Sequence, residues 1–132
     1  YFKKCFVISS YDRFVNFVLD FFMIFTSNFS KNGNNENAVA ICGKSPEFYK
    51  GKEYKKLAPK YWFFKKYKED HDEDFYIKHY YAEVLSQLDP KKVYEELDGK
   101  ILLCYEKETD FCHRFLVADW LEYNLGIKVE EI

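Results

Sequence analysis

The stretch CYEKETDFCHRF, from Cys104 to Phe115, brings two cysteines, a histidine, an arginine and several carboxylates close together. No other part of the chain concentrates reactive side chains in this way. A thiol flanked by imidazole and carboxylate groups suits a nucleophile whose proton is removed by its neighbours. The same groups suit a thiol sensor or, with both sulfurs and the imidazole turned inward, a metal site. Arg114 adds a fork of donors matched to phosphate or carboxylate. Which of these chemistries is available depends on the elements that hold the residues.

An apolar run, Ile101-Leu102-Leu103, leads into the stretch and reads as a strand over Ile101–Glu106. An amphipathic helix is expected over Asp110–Asn124, with Gly126 placed where a C-terminal cap glycine belongs, and a strand over Ile127–Ile132. Strand, helix and strand in this order make a βαβ unit, so the sheet should be at least partly parallel and covered by helices. Ligands of such sheets bind beyond the carboxyl ends of the strands. Asp110 is the best N-cap candidate. It would place Cys112, His113 and Arg114 in the first helical turn, where free backbone N–H groups and the helix dipole favour anions and thiolates. Leu116, Val117, Trp120 and Leu121 form the buried stripe, and Cys112 and His113 lie one turn earlier on that side. Glu106 is positioned to orient His113 or to pair with Arg114.

The rest of the chain alternates in the same manner. Met23–Phe29 reads as a first strand, SKNGNNEN as a polar turn and Ala38–Cys42 as a short buried strand. A loop punctuated by Gly43, Pro46, Gly51 and Pro59 follows, and Pro59 suits the start of a helix through KYWFFKKYKE. The next helix, FYIKHYYAEVLSQL, is capped near Asp72 or Asp74 and carries apolar residues at 77, 80, 81, 84, 85 and 88. Asp89-Pro90 opens a further short helix that Asp98-Gly99 closes. His71 reads as a loop residue and His79 as a helix-face residue. There is no internal repeat, Gly-Ser linker or low-complexity tract.

Residues 1–22 differ from the remainder, being rich in Phe, Tyr, Val and Lys and lacking Gly, Ala, Pro and Glu. Either they form an N-terminal amphipathic helix around Tyr11–Phe22, or Met23 is the natural start and they are an upstream extension; the second is preferred. Residues 23–132 are expected to form one α/β domain. A net charge of −2 gives no reason to expect a general polyanion binder, and a 21% aromatic content with five glycines demands a packed core. The four cysteines show neither CxxC spacing nor disulfide-framework density, so they read as reduced thiols of a cytoplasmic protein. No run reaches 18 apolar residues, which argues against a membrane span.

The C-terminal stretch LLCYEKETDFCHRFLVADWLEYNLGIKVEEI resembles the signature of the domain of unknown function 488 family. In that family a Cys-x-Glu strand end and a short loop precede a Cys-His-Arg helix start, here Cys104, Glu106, Cys112, His113 and Arg114. SPEFYKGKEYKKLAPKYWFFKKYKE and DEDFYIKHYYAEVLSQLDPKKVYEEL resemble its middle region, so the likeness runs from about Met23 to Ile132. It implies a three-layer α/β/α fold and supplies no agreed reaction. Wider members often carry Asp-Val-Arg at the end of the second strand, facing the Cys-His-Arg loop. This chain has Ile41-Cys42-Gly43-Lys44-Ser45 there, so either Lys44 replaces the arginine or that half of the site is missing.

Each feature also has a plainer reading. Cys112 and Cys104 suit packing as small hydrophobes, Cys104 the more so within its strand. Arg114 suits a surface ion pair with Glu106 or Glu108, and His113 suits a bond to a loop carbonyl. Zinc held by Cys104, Cys112, His113 and Cys42 matches no common ligand spacing, and a Cys104–Cys112 disulfide does not suit a reducing compartment. The eight lysines between Lys50 and Lys68, interleaved with aromatic rings, have the composition of a single-stranded nucleic-acid surface. Their plainer reading is a solvated helix whose rings pack inward.

Taken together, the residues point to a small anionic ligand, phosphate or carboxylate, held by Arg114, Lys44 and Ser45. Cys112, His113 and Glu106 would do the chemistry, with no cofactor or resident metal called for. The alternative is a non-catalytic module that binds a nucleic acid or protein through the Lys50–Lys68 face. Nothing in the pattern sets an oligomeric state.

Overall fold

In the computed structural model, which describes residues 23–132, the chemistry-bearing stretch hangs from the middle of a parallel sheet. The elements are β1 (Phe25–Asn28), α1 (Phe29–Asn32), β2 (Ala38–Ala40), β3 (Lys52–Glu53), α2 (Tyr61–Asp70), α3 (Glu73–Glu83), α4 (Pro90–Leu97), β4 (Ile101–Cys104), α5 (His113–Leu125) and β5 (Glu130–Glu131). Short 3₁₀ turns cover Lys55–Leu57 and Leu85–Gln87. The helix proposed within residues 1–22 lies outside the described residues.

The sheet order is β3-β2-β4-β1-β5, and every pairing is parallel. Alternation along the strands divides the core in two. Ile24, Val39, Ile41 and Leu102 face one way, against the inward sides of the helices, which contribute Phe63, Tyr76, Tyr80, Val93, Val117 and Leu121. Ala38, Ala40, Ile101 and Leu103 face the other way, under Phe29 of α1 and Tyr49 of the loop after β2. A thick helical layer and a thinner one therefore enclose a small parallel sheet, the α/β architecture expected from the βαβ pattern.

Local chemistry explains most boundaries. Asn28, Asp72 and Asp89 cap α1, α3 and α4 by accepting from the backbone N–H groups of Lys31, Phe75 and Lys91. Pro90 fills the first position of α4, and Gly126 closes α5 in the left-handed conformation, φ 66°. His71, at φ 55°, does the same for α2 without being glycine.

Some expected elements shift. The loop from Gly43 to Pro59 contains the edge strand β3, and the helical run through Leu88 gives way after Glu83 to a 3₁₀ turn. The strands expected over Ile101–Glu106 and Ile127–Ile132 are shorter, covering Ile101–Cys104 and Glu130–Glu131. Asp110 is not an N-cap. Its backbone N–H closes a turn onto the Lys107 carbonyl, and α5 starts later, at His113, with extended Cys112 as the capping residue.

Buried Tyr80 shows how the helical layer is pinned. Its hydroxyl donates to the Leu57 carbonyl at 2.6 Å, tying α3 to the 3₁₀ turn before α2. Tyr80→Phe removes that donor from a carbonyl sealed in the core. It should destabilise the fold by about 1–2 kcal/mol, read as a lower denaturant midpoint at unchanged slope.

Candidate functional site

The chain leaves β2 toward β3 on one side and leaves β4 toward β5 on the other. The two neighbouring strands thus send their connections in opposite directions. In a parallel sheet this divergence opens a crevice beyond the strand ends. Here the crevice is a cavity of about 710 Å³, lined by Cys42–Lys44 after β2, by Cys104–Glu106 after β4 and by Phe111–His113 at the start of α5. Its remaining wall comes from Pro59, from Tyr61, Phe64, Tyr67 and Lys68 on α2, and from Tyr76 on α3.

The reactive groups converge on the floor. Cys104 Sγ, Cys112 Sγ and a His113 ring nitrogen all lie within 4.8 Å of one another, and all three residues are buried. Cys104 Sγ is 3.7 Å from His113 Nδ1 and 3.7 Å from Glu106 Oε1. His113 Nε2 is 2.8 Å from the Ile41 carbonyl oxygen. A carbonyl only accepts, so Nε2 carries the hydrogen and Nδ1 is the nitrogen turned toward the sulfurs. The backbone just past β2 thereby fixes how the imidazole faces the thiols.

The two sulfurs are electrostatically unlike. At Cys104 the hydrogen bond to Cys112, then burial, push the thiol well above the ordinary range, so it keeps its proton. Burial would push Cys112 up as well. Hydrogen bonding with the Cys104 thiol, the neighbouring His113 ring and the Arg114 backbone N–H outweighs it, and the thiol lies well below the ordinary range. Cys112 is thus the thiolate of the pair and Cys104 its donor. Burial, followed by the negative charge of Cys112, raises the Glu106 carboxyl, with Lys68 at 3.6 Å as a weaker opposing influence.

The expected site residues separate into two groups. Cys112, His113, Glu106 and Lys44 line the cavity together with Cys104. Ser45 does not line it; its hydroxyl donates to Glu53 at 2.6 Å. Arg114 is absent from the lining too. It is fully buried against β5, with Nε 3.1 Å from Glu131 Oε1 and Nη2 2.9 Å from Glu131 Oε2. Glu131 also accepts from Thr26 Oγ1 at 2.6 Å, so the pair ties α5 to β5 and β1. Neither Glu106 nor Glu108 is its partner.

Residue-level reading missed the aromatic wall. Tyr61, Phe64, Tyr67 and Lys68 sit at helical spacing on one side of α2, while Phe63 turns into the core. The lysine–aromatic stretch is therefore continuous with the cavity that holds the thiols. His79 stacks among Trp62, Phe63 and Phe75 and contacts Glu83 at 3.2 Å, a partner that i,i+4 spacing makes available.

As to what the arrangement can hold, two sulfurs and an oriented imidazole are soft donors, which suits a zinc-like ion better than magnesium or calcium. Among the described residues, no helix is long and apolar enough to cross a membrane. Comparison with curated proteins and with solved structures found no match. The family described as the active DUF488-N3 subclade matches residues 35–125, a span that includes β2, the aromatic wall, β4 and all of α5. The chain belongs to the DUF488 family.

Proposed function

We propose that the domain is a thiol-dependent transferase or hydrolase. Cys112 attacks a small substrate that enters the cavity between β2 and β4. The observation that carries this reading is the convergence of Cys112, Cys104, His113 and Glu106 at the floor of one cavity. A thiolate beside a carboxyl whose pKa is raised is the separation of roles that nucleophile and acid require. The Cys112 sulfur forms the new bond to the electrophilic centre, and the bond to the leaving group breaks. Glu106 gives a proton to the leaving group, and water or an acceptor then displaces the Cys112 sulfur from the transferred group while its proton returns to Glu106.

The wall supports a substrate class. Rings from Tyr61, Phe64, Tyr67, Tyr76 and Phe111 suit a flat conjugated group, and Lys44 and Lys68 suit a negative charge on it. Arg114, spent on Glu131, has no part in this reading.

The test is iodoacetamide labelling under reducing, metal-free conditions with peptide mass spectrometry, in the presence of AMP or of inorganic phosphate alone. Cys112 should label well ahead of Cys104. AMP, which combines a planar ring with a phosphate, should slow it more than phosphate does, and Lys68→Ala should relieve that protection. Cys112 labelling no faster than an unfolded-chain cysteine would overturn the nucleophile.

A further inference from the structure

We propose that Cys104, Cys112 and His113 form a binding site for one soft divalent metal ion of the zinc class, its fourth position open to the cavity beside Glu106. The inference goes beyond the nucleophile reading and does not depend on it. Metal needs all three donors at once, whereas attack needs Cys112 alone.

Three features carry it. The first is distance. Zinc–sulfur bonds of about 2.3 Å and zinc–nitrogen bonds of about 2.0–2.1 Å place tetrahedral donors roughly 3.5–3.8 Å apart. Cys104 Sγ and His113 Nδ1 already stand at 3.7 Å, and the complete trio lies within 4.8 Å. At most about 1 Å separates the trio from that spacing.

The second is orientation. The Ile41 carbonyl holds Nε2–H at 2.8 Å and leaves the Nδ1 lone pair facing the sulfurs. A backbone acceptor on the far nitrogen is the usual outer-shell support of a metal-bound histidine. The third is charge. Two thiolates and a neutral imidazole around a divalent ion form a centre with no net charge, which suits these buried positions. Sulfur and imidazole donors select zinc-like ions over magnesium or calcium. With three protein donors and a cavity above, the arrangement is that of an open metal site. Metal occupancy would take both sulfurs out of covalent chemistry, so the two states of the site exclude one another.

The deciding experiment titrates Co2+ into the full chain, stripped of metal by a chelator and kept reduced and anaerobic. The expected result is one ion per chain, with thiolate-to-cobalt charge-transfer bands and the strong visible bands of four-coordinate cobalt, all lost when Zn2+ displaces it. Cys104→Ser, Cys112→Ser and His113→Ala should each weaken binding by at least about tenfold. Cys5→Ser and Cys42→Ser should leave it unchanged. Absence of charge-transfer bands at saturating Co2+, their persistence in Cys104→Ser or Cys112→Ser, or their loss in Cys42→Ser would overturn the assignment.

A measurement on the unmodified chain covers variants that fail to fold. Saturating Zn2+, but not Mg2+, should protect both Cys104 and Cys112 from iodoacetamide, and unprotected labelling would also overturn the site. Failure of the metal site leaves the labelling of the metal-free chain to decide the nucleophile.

Discussion

Replacing Glu131 by alanine should cost on the order of 3 kcal/mol of stability, although the residue stands in a two-residue edge strand and is partly exposed. The reason lies on the other side of the contact. The Arg114 guanidinium is fully buried, and Glu131 takes both its Nε and its Nη2. Nη1 already has no hydrogen-bond partner among the described residues. Without Glu131 the core would contain a cation that has lost its ion-pair partner, beside the Phe115 ring 4.5 Å away. Breaking a buried pair from one side typically costs about 3–5 kcal/mol, and the partial exposure of Glu131 favours the lower end. For a domain of this size the melting temperature should fall by roughly 10–20 °C, read by circular dichroism or calorimetry. Arg114→Met combined with Glu131→Leu removes both charges and should recover most of the loss. A single Glu131→Ala variant as stable as the parent would mean that water reaches Arg114.

The second large effect concerns Cys112 reactivity. An ordinary thiol, with a pKa of about 8.5, is only about 3% thiolate at pH 7. Because folding depresses the Cys112 pKa, its metal-free labelling rate at pH 7 should exceed that of an ordinary thiol. Cys104→Ala removes the thiol donor that helps hold the charge. The rate at pH 7 should then fall by about tenfold and recover as the pH is raised. A pH profile of labelling in the two chains reads this directly, and coincident profiles would remove Cys104 from the argument. The stability linkage has a definite sign for each thiol. The Cys112 share is present above the ordinary thiol pKa and lost as pH falls through its depressed folded value. The Cys104 share is present below the ordinary pKa and lost as pH rises through its raised folded value.

What could be read in the sequence was local or periodic. Asp72 and Asp89 announce their helices because a cap needs only an oxygen and nearby N–H groups. Ile101-Leu102-Leu103 announces a buried strand because water is excluded from both its faces. Asp110 misleads because the same side chain that caps helices also favours turns, and here the turn onto Lys107 takes it. The strand β3 has no apolar signature, since Lys52 and Glu53 are exposed at an edge. Arg114 was misassigned for a non-local reason. Its partner is set by the register of β5 beside β1, where Thr26 pairs with Glu131, and nothing around Cys-His-Arg encodes that register. The aromatic wall was within reach, because residues 61, 64, 67 and 68 share one helical side once Phe63 is turned inward.

The position of β4 between β1 and β2 also governs the order of assembly. Among the described strands, β1 and β2 come first in the chain and are not neighbours. β2 has a near partner in β3, but joining β1 to β2 waits for Ile101–Cys104, so closing the sheet means closing a long loop, which slows folding. Until then the apolar run Ala38–Ile41 lacks its cover and is the segment a chaperone would be expected to meet. The thiols share this schedule. Cys42 and Cys104 come to one cavity only when β4 inserts, and Cys112 gains its donors in the same event. On a nascent or unfolded chain it is an ordinary thiol; its altered acidity is a property acquired at the moment of closure.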